Sequence, residues 1–475
     1  MSTVHPTDAD DPGEPLQRID HLVETFRSAE KPVSAFRVGT EHEKFGFLRV
    51  PGAAAQPPLP FDGPRGIESI LQAIVNDPAE RAAADEAWVP ALDRGRIIAL
   101  FKGKESITLE PGGQFELSGA PFHTVHETND EVVAHMKLLG RICEPKGVGF
   151  IGMGFHPTAT WDELPMVPKA RYEIMTRYMP RVGHRGLDMM KRTATVQANY
   201  DWENEADLVA GYQMALGVSP LVAALFASAP FYEGKPSGAV SERQNVWTDT
   251  DPDRSGFPQA ILDRDFSYER YVDWVLSVPM YFVRRDGHHH NVAGASFRTF
   301  MTEGLDVDGR RVKATMRDWD DHLTTIFPEV RMKRVLEVRS ADCGPADRVS
   351  ALPALYKGLL YDHQARDAAL ALMNTPTGAE LTALRASVAV VGFAATFRGR
   401  TVLSMCQELL DIARAGLQRL NCLNARGQDE SCFLAPLDAT VASGQTYAEY
   451  LLDLYRGPWG GSLAPLWHEV EFWRG

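Results

Sequence analysis

Four segments of this chain alternate between apolar and polar residues with the two-residue period of a β-strand. They are VGTEHEKFGF (38–47), TLEPGGQFELSG (108–119), TATVQAN (193–199) and VLEVRSAD (335–342). Because successive side chains of a strand point to opposite faces, each segment has one apolar and one polar face. The polar faces carry Glu41, Glu43, Thr108, Glu110, Gln114, Glu116, Thr193, Thr195, Gln197, Asn199, Glu337 and Arg339. This pattern predicts a sheet with one face on the core and one face open.

Apolar residues spaced three or four positions apart predict helices around this sheet. The predicted helices lie within 11–31 and at 67–76, 78–86, 126–146, 203–230, 351–374, 377–390, 401–420 and 445–455. Pro220 is expected to break or kink the helix at 203–230, and five prolines between residues 51 and 66 predict a surface loop. Residues 1–15 are expected to form a disordered acidic tail. No linker divides the rest of the chain. Residues 16–475 are expected to form one catalytic domain, with a helical C-terminal part from about 351.

The overall composition narrows the class of partner. The chain has 44% apolar and 24% charged residues, as in ordinary globular proteins, and a net charge of −14. This charge argues against nucleic acid and anionic membranes, which attract Lys and Arg. No apolar run approaches the roughly 20 residues of a membrane span. The N-terminus lacks the features of a targeting signal and the five cysteines form no CxxC pair. We therefore expect a cytoplasmic monomer or homodimer that acts on small molecules.

Five glutamates on the polar strand faces are candidates for a metal site. They are Glu41, Glu43, Glu110, Glu116 and Glu337. If the strands are neighbours, these carboxylates raise each other's pKa unless a cation lies among them. Mg²⁺ suits such a site, because it combines a few carboxylates with waters and substrate phosphates. The alternative for each glutamate is a rim position paired with its own Lys or Arg.

Eight blocks, in order from about residue 35 to 362, resemble the plant and proteobacterial type of glutamate–cysteine ligase. They are GTEHEKFGF, LEPGGQFELSGAP, PKARYEIMTRYMP, GLDMMKRTATVQAN, ERQNVWTDTDPDRSG, VPMYF, DHLTTIFPEVRMKR and LEVRSAD. The resemblance implies an α+β fold of glutamine synthetase type, with a curved antiparallel sheet of about six strands backed by helices. It implies ATP-dependent joining of the glutamate γ-carboxylate to the cysteine amine through γ-glutamyl phosphate, the first step of glutathione biosynthesis.

The same resemblance implies roles for individual residues. The five glutamates would bind two or three Mg²⁺ ions, and Glu43, Glu337 and Arg339 would act at the reacting groups. Arg171, Arg243 and Thr195 would bind glutamate, and Arg339, Gln197 and Asn199 would contact ATP. The pocket for the amine acceptor cannot be traced from the sequence. Trp247 and Tyr281 are named as guesses for residues that line it.

Three alternatives remain open at this stage. A γ-glutamyl ligase with the same first step would use a different amine acceptor. A two-metal phosphohydrolase would release phosphate without any amino acid, and a non-catalytic metal-binding protein would bind Mg²⁺ without ATP-dependent binding of glutamate.

Overall fold

An antiparallel sheet of nine strands lies at the centre of the computed structural model, which describes residues 15, 16, 18–83 and 87–473. The strands are β1 (Val38–Leu48), β2 (Val89–Asp93), β3 (Arg96–Lys102), β4 (Glu105–Leu109), β5 (Phe115–Ser118), β6 (Val148–Ile151), β7 (Thr195–Tyr200), β8 (Phe231–Tyr232), β9 (Lys235–Pro236), β10 (Ser255–Gly256), β11 (Phe282–Arg285), β12 (His288–Asn291), β13 (Leu305–Val307), β14 (Arg310–Val312), β15 (Phe327–Pro328), β16 (Val330–Met332), β17 (Leu336–Asp342), β18 (Thr396–Phe397) and β19 (Arg400–Thr401). The central sheet has the order β16-β17-β7-β1-β5-β4-β3-β2, and β6 pairs with the second half of β1. The other strands form two-stranded pairs.

Helices pack on the core face of this sheet and around the cleft on its other face. They are α1 (Asp20–Arg27), α2 (Ile67–Asn76), α3 (Pro78–Ala83), α4 (Val125–Cys143), α5 (Ala170–Tyr178), α6 (Gly186–Arg192), α7 (Glu205–Leu225), α8 (Glu242–Trp247), α9 (Gln259–Leu262), α10 (Tyr268–Val275), α11 (Phe297–Glu303), α12 (Met316–Leu323), α13 (Ala346–Val349), α14 (Ala351–Leu360), α15 (His363–Met373), α16 (Gly378–Val391), α17 (Val402–Leu420), α18 (Ala435–Ser443), α19 (Tyr447–Arg456) and α20 (Leu466–Glu469). α4, α7 and α14 pack on the central strands. One hydrophobic core extends from Leu16 to Phe472, which supports the proposal of a single domain.

The sheet is wider than the expected six strands, because β2 and β3 give no alternating signal. Ile97, Ile98, Ala99 and Leu100 of β3 are all buried, so both faces of this strand contact other parts of the protein. A strand buried on both faces has a continuous apolar sequence that periodicity cannot distinguish from a helix.

Most predicted helices are present, with changes at their ends. The helix predicted at 203–230 is α7, which continues through Pro220 without a break. By length and composition α7 is the one helix among the described residues that could cross a membrane, but 83% of its most apolar window is buried inside the protein. The prediction at 351–374 becomes α14 and α15, because Asp362 caps a new helix. Residues 1–14 of the predicted disordered tail lie outside the described residues, while Pro15 forms a bridge with Thr315.

Candidate active site

The register of the central strands brings the predicted acidic residues onto one face. Residues that are directly opposite in an antiparallel pair lie on the same face. Glu43 pairs with Glu116, and Thr108 pairs with Glu116 on its other side. Glu41 pairs with Gln197 on β7. The four segments predicted from alternation form β1, β4 with β5, β7 and β17. These strands are neighbours in the sheet, and their polar faces combine as expected.

The carboxylates of Glu43, Glu110 and Glu116 repel one another at one end of this face. All three are buried, with exposed fractions of 8%, 6% and 0%. Burial, followed by the charges of Glu110 and Glu116, raises the pKa of Glu43 well above the usual glutamate value. The backbone N–H of Thr195 donates to Glu43 Oε2 at 3.0 Å, which fixes this carboxylate toward β7. An additional cation would relieve the repulsion.

The Pro111-Gly112-Gly113 turn holds Glu110 below α6. A Cβ atom on Gly112 would lie 2.3 Å from the carbonyl oxygen of Lys191, so only glycine fits there. Gly113 has a φ of +80°, which also favours glycine. Gln114 closes the turn, because its Oε1 accepts from the N–H of Gly112 at 2.9 Å. Gln114 is thus a structural residue.

Glu337 lies at the other end of the face and is neutralised by three cationic side chains. Arg331 donates to both of its oxygens, at 2.5 and 3.0 Å, and Lys333 and Arg339 each donate at 3.1 Å. Burial opposes ionisation of Glu337, but these charges outweigh it and lower its pKa well below the usual value. On the neighbouring strands, Asn199 donates to Glu41 Oε1 at 2.8 Å.

Arg339 lies in a β-bulge that interrupts the pairing of β17 with β7. Val338 pairs with Ala198 and Ala341 pairs with Val196, so two residues of β17 oppose Gln197. Arg339 Nη1 donates to Gln197 Oε1 at 2.5 Å. The predicted nucleotide contacts Arg339 and Gln197 are therefore direct neighbours.

The bulge carbonyls hold Arg243, which begins the second wall of the cleft. Arg243 Nη2 donates to the carbonyl of Arg339 at 2.8 Å, and Nη1 donates to that of Ser340 at 3.3 Å. Its buried Nε has no hydrogen-bond acceptor among the described residues. Thr195 lines the same cleft, although its hydroxyl is occupied by the carbonyl of Ala341 at 2.6 Å.

Arg171, at the start of α5, is close enough to Glu110 for their charges to interact, although it is not among the residues that line the cleft. Its Nη2 is 3.4 Å from the hydroxyl oxygen of Tyr172, and its guanidinium lies over the Tyr172 ring. The buried Nε has no acceptor in the part of the chain that the structure describes. Arg171 is therefore a buried cation with capacity to bind an anion.

The cleft has an apolar wall that sequence reasoning missed. The volume of the cleft, including part of its open mouth, is about 460 Å³. The cleft as a whole is lined by Glu43, Glu110, Pro111, Gln114, Met175, Met189, Met190, Thr193, Thr195, Arg243, Trp247, Phe327 and Arg339. The three methionines lie on α5 and α6, and the spacing of buried methionines on helices gives no signal that separates a cleft from a core. Of the two residues guessed for the acceptor pocket, Trp247 lines the cleft, whereas Tyr281 is buried against Arg254.

The carboxylates form an open set. No three acidic, histidine or cysteine side chains within the described ranges are close enough to enclose an ion by themselves. A Mg²⁺ ion bound here would have to complete its shell with water and substrate phosphate, as this ion does with one or two carboxylates in phosphate-binding sites. The oxygen donors and the raised pKa of Glu43 fit such an ion.

Comparisons with known protein sequences match nearly the whole chain to one family. The family model for glutamate–cysteine ligase family 2 (GCS2) matches residues 37–469. The chain is 44% identical over 463 residues to glutamate–cysteine ligase A, chloroplastic, of Oryza sativa subsp. indica, covering 97% of this chain and 89% of the relative. It is 43% identical over 463 residues to the chloroplastic glutamate–cysteine ligase of Arabidopsis thaliana, covering 97% and 84%.

A solved structure supports the fold. The crystal structure of glutamate–cysteine ligase from Francisella tularensis in complex with AMP matches with a TM-score of 0.52 and 12% identity, over 92% of this chain and 87% of that chain. At this identity the likeness concerns the fold alone. The expected large antiparallel sheet backed by helices is confirmed.

One expectation is wrong. The cytoplasmic location is contradicted, because the relatives that match 97% of this chain are named as chloroplastic enzymes. The five free cysteines and the acidic charge are informative about redox state and solubility, and neither property identifies a compartment. The expected enzyme class is confirmed by the family match and by relatives that span nearly the whole chain. The chain belongs to glutamate–cysteine ligase family 2.

Proposed function

We propose that this chain uses ATP to join the γ-carboxylate of L-glutamate to the amine of L-cysteine, through γ-glutamyl phosphate. The observation that carries this proposal is a cleft lined by Glu43 and Glu110 together with Arg243 and Arg339, with Glu116 paired to Glu43 on the neighbouring strand. An acidic half suits metal-bound phosphates, and a cationic half suits a carboxylate and a transferring phosphoryl group.

The glutamates of the sheet face are the proposed Mg²⁺ ligands. Glu43, Glu110 and Glu116 are the primary ones, because they repel one another, and Glu41 adjoins them on β1. Glu337 joins the set by sharing its carboxylate with Arg331 and Lys333. When bound, Mg²⁺ would neutralise the ATP phosphates and the charge that develops on the γ-phosphoryl group.

Arginines hold the substrate glutamate in this proposal. Arg243 offers its buried Nε, and Arg171 offers a second buried guanidinium near Glu110. Arg forms paired hydrogen bonds with carboxylates, so two such residues can fix the orientation of a dicarboxylate. Thr195 acts indirectly, because its backbone positions Glu43.

Arg339 serves the first chemical step. The γ-carboxylate oxygen of glutamate attacks the γ-phosphorus of ATP, the bond to the β–γ bridging oxygen breaks, and ADP leaves. Gln197 and Glu337 hold Arg339 toward the cleft, where its charge stabilises the transferring phosphoryl group. Asn199 orients Glu41 on the same side.

The second step requires exclusion of water. The cysteine nitrogen attacks the acyl carbon of γ-glutamyl phosphate, phosphate leaves, and the amine loses a proton. Met175, Met189, Met190 and Phe327 form an apolar wall beside the acids. This wall reduces access of water to the acyl phosphate, whose hydrolysis would consume ATP without product.

A coupled assay of ADP release across a panel of amines tests the proposed function. With Mg²⁺, ATP, L-glutamate and L-cysteine, we expect ADP and γ-glutamylcysteine in equal amounts, with the peptide identified by mass spectrometry. Product with another amine but not with cysteine would reassign the acceptor. Phosphate release from ATP without any amino acid would indicate a phosphohydrolase.

A further inference from the structure

The bulge in β17 brings Asp342 to the cleft side of the sheet. In a regular strand, Asp342 would share a face with Leu336 and Val338, which are buried in the core. The extra residue shifts this alternation, so Asp342 pairs with Thr195, a residue that lines the cleft.

Asp342 is 1% exposed and is bound on three sides. Its Oδ2 accepts from the N–H of Ser228 at 3.1 Å, and its Oδ1 accepts from Ser241 Oγ at 2.9 Å. Arg243 Nη1 lies 4.0 Å from Oδ1. A Cβ atom on Gly154 would lie 2.3 Å from Asp342 Cγ, so the carboxylate packs directly against the backbone at a position where a larger residue does not fit.

Both partners of Oδ1 belong to the start of α8. Ser241 is the N-cap of this helix and accepts from the N–H of Gln244 at 3.1 Å. Gln244 Nε2 in turn donates to the bulge carbonyl of Ser340 at 2.5 Å. Asp342, α8 and the bulge therefore form one closed hydrogen-bonded unit, with Arg243 inside it.

We propose that Asp342 is a positioning residue that acts through Ser241 and Arg243. It fixes the start of α8 against the bulge, so that two nitrogens of Arg243 bind backbone carbonyls and Nε stays available to the substrate. Because the same bulge carries Arg339, this unit sets the glutamate-binding arginine and the phosphate-facing arginine relative to each other. The inference rests on the proposed role of Arg243 in binding glutamate.

The test uses steady-state kinetics of the full chain carrying Asp342→Asn, a nearly isosteric change that removes the charge and turns one of the two acceptor oxygens into a donor. We expect the KM for glutamate to rise roughly tenfold, because the Arg243 guanidinium loses the partner that holds it in position for the substrate carboxylate. The KM for ATP should change less than about twofold, since Arg339 keeps Gln197 and Glu337 as partners. An unchanged KM for glutamate in a folded variant would overturn the proposal.

Ser241→Ala provides a second test if Asp342→Asn does not fold, and Ser267→Ala is its matched control. Both substitutions remove a serine N-cap, from α8 and from α10 respectively, and should lower the melting temperature similarly. Only Ser241→Ala should raise the KM for glutamate, and an equal effect of both substitutions would also overturn the proposal. Absence of ligase activity in the unaltered chain would instead contradict the proposed function.

Discussion

Glu43 and Glu116 lie directly opposite each other on β1 and β5, both buried, on the cleft face of the sheet. Cross-strand neighbours have Cβ atoms about 5 Å apart, and like charges in this arrangement are destabilising. Burial and this repulsion raise the pKa of Glu43, so without a cation the pair is relieved only by uptake of a proton. Such a pair is expected where function opposes stability.

Glu116→Gln should separate these two effects. In metal-free protein, loss of one carboxylate should raise stability by about 0.5–1 kcal/mol, measured by urea unfolding with EDTA. Ligase activity at saturating substrates should fall about 100-fold or more, as expected when a ligand of a charge-stabilising metal is lost. Glu105→Gln, at the far end of the same hairpin, is the control and should leave activity unchanged. A destabilised, fully active Glu116→Gln protein would contradict the assignment.

Arg339→Lys should impair chemistry more than binding. Lysine keeps the charge, but Nη1 of Arg339 already donates to both Gln197 and Glu337, and lysine has no second terminal nitrogen to present to the cleft. We expect kcat to fall about 100-fold, the usual effect of removing one donor aimed at developing charge, with the KM for glutamate within about threefold. A change confined to the KM for glutamate would move Arg339 to the substrate site.

Arg331→Met tests the buried ion pair with Glu337, in which both side chains are fully buried. Removing Arg331 takes away two hydrogen bonds to Glu337 and leaves Lys333 and Arg339 as its cationic partners, so the expected loss is about 3 kcal/mol of unfolding free energy. Arg331→Met combined with Glu337→Gln should be more stable than Arg331→Met alone, measured by denaturant unfolding. Additive losses in the double variant would contradict this coupling.

The KM for glutamate should depend on the ionisation of Asp342. Burial, partly offset by Arg243, raises the pKa of Asp342 to about 6. Ser228 and Ser241 contribute neutral donors, and the adjacent Cys343 thiol is also neutral because burial raises its pKa to about 12. The carboxylate is therefore charged above about pH 6, and the KM should rise as the pH falls through this value.

Asp342→Asn should lose this part of the pH profile, since it resembles the protonated aspartic acid at every pH. The measurement is the KM for glutamate between about pH 5 and 8 for both proteins, in one buffer mixture of constant ionic strength. The same pH dependence in both would assign the titration to another group, such as Glu43.

Alternation along the chain was sufficient to predict the acid-rich face. Glu43, Glu116 and Gln197 occupy the predicted side of their strands, because the two-residue period determines the face directly. Thr108 and Glu116, predicted to lie on one face across the PGG turn, form a cross-strand pair. Which residues share a face is a local property of a strand, so it can be predicted from a single sequence.

Three features depended on tertiary structure and left no local signal. β3 is apolar on both faces, so its period is invisible. The pairing of Arg331 with Glu337 depends on the β16–β17 hairpin, and two charged residues six positions apart have no such preference in sequence. Regular alternation would place Asp342 on the core face of β17, so no role could be predicted for it. Only the bulge turns Asp342 to the cleft face.

The extra residue of β17 makes the length of the backbone at Arg339–Ser340 a determinant of substrate recognition. Deleting Ser340 would preserve the pairing of Ala341 with Val196 and of Asp342 with Thr195 in a straight strand, but would remove a carbonyl that receives both Arg243 and Gln244. Substituting the Ser340 side chain leaves that carbonyl in place. Ser340→Ala should therefore preserve glutamate binding better than deletion of Ser340.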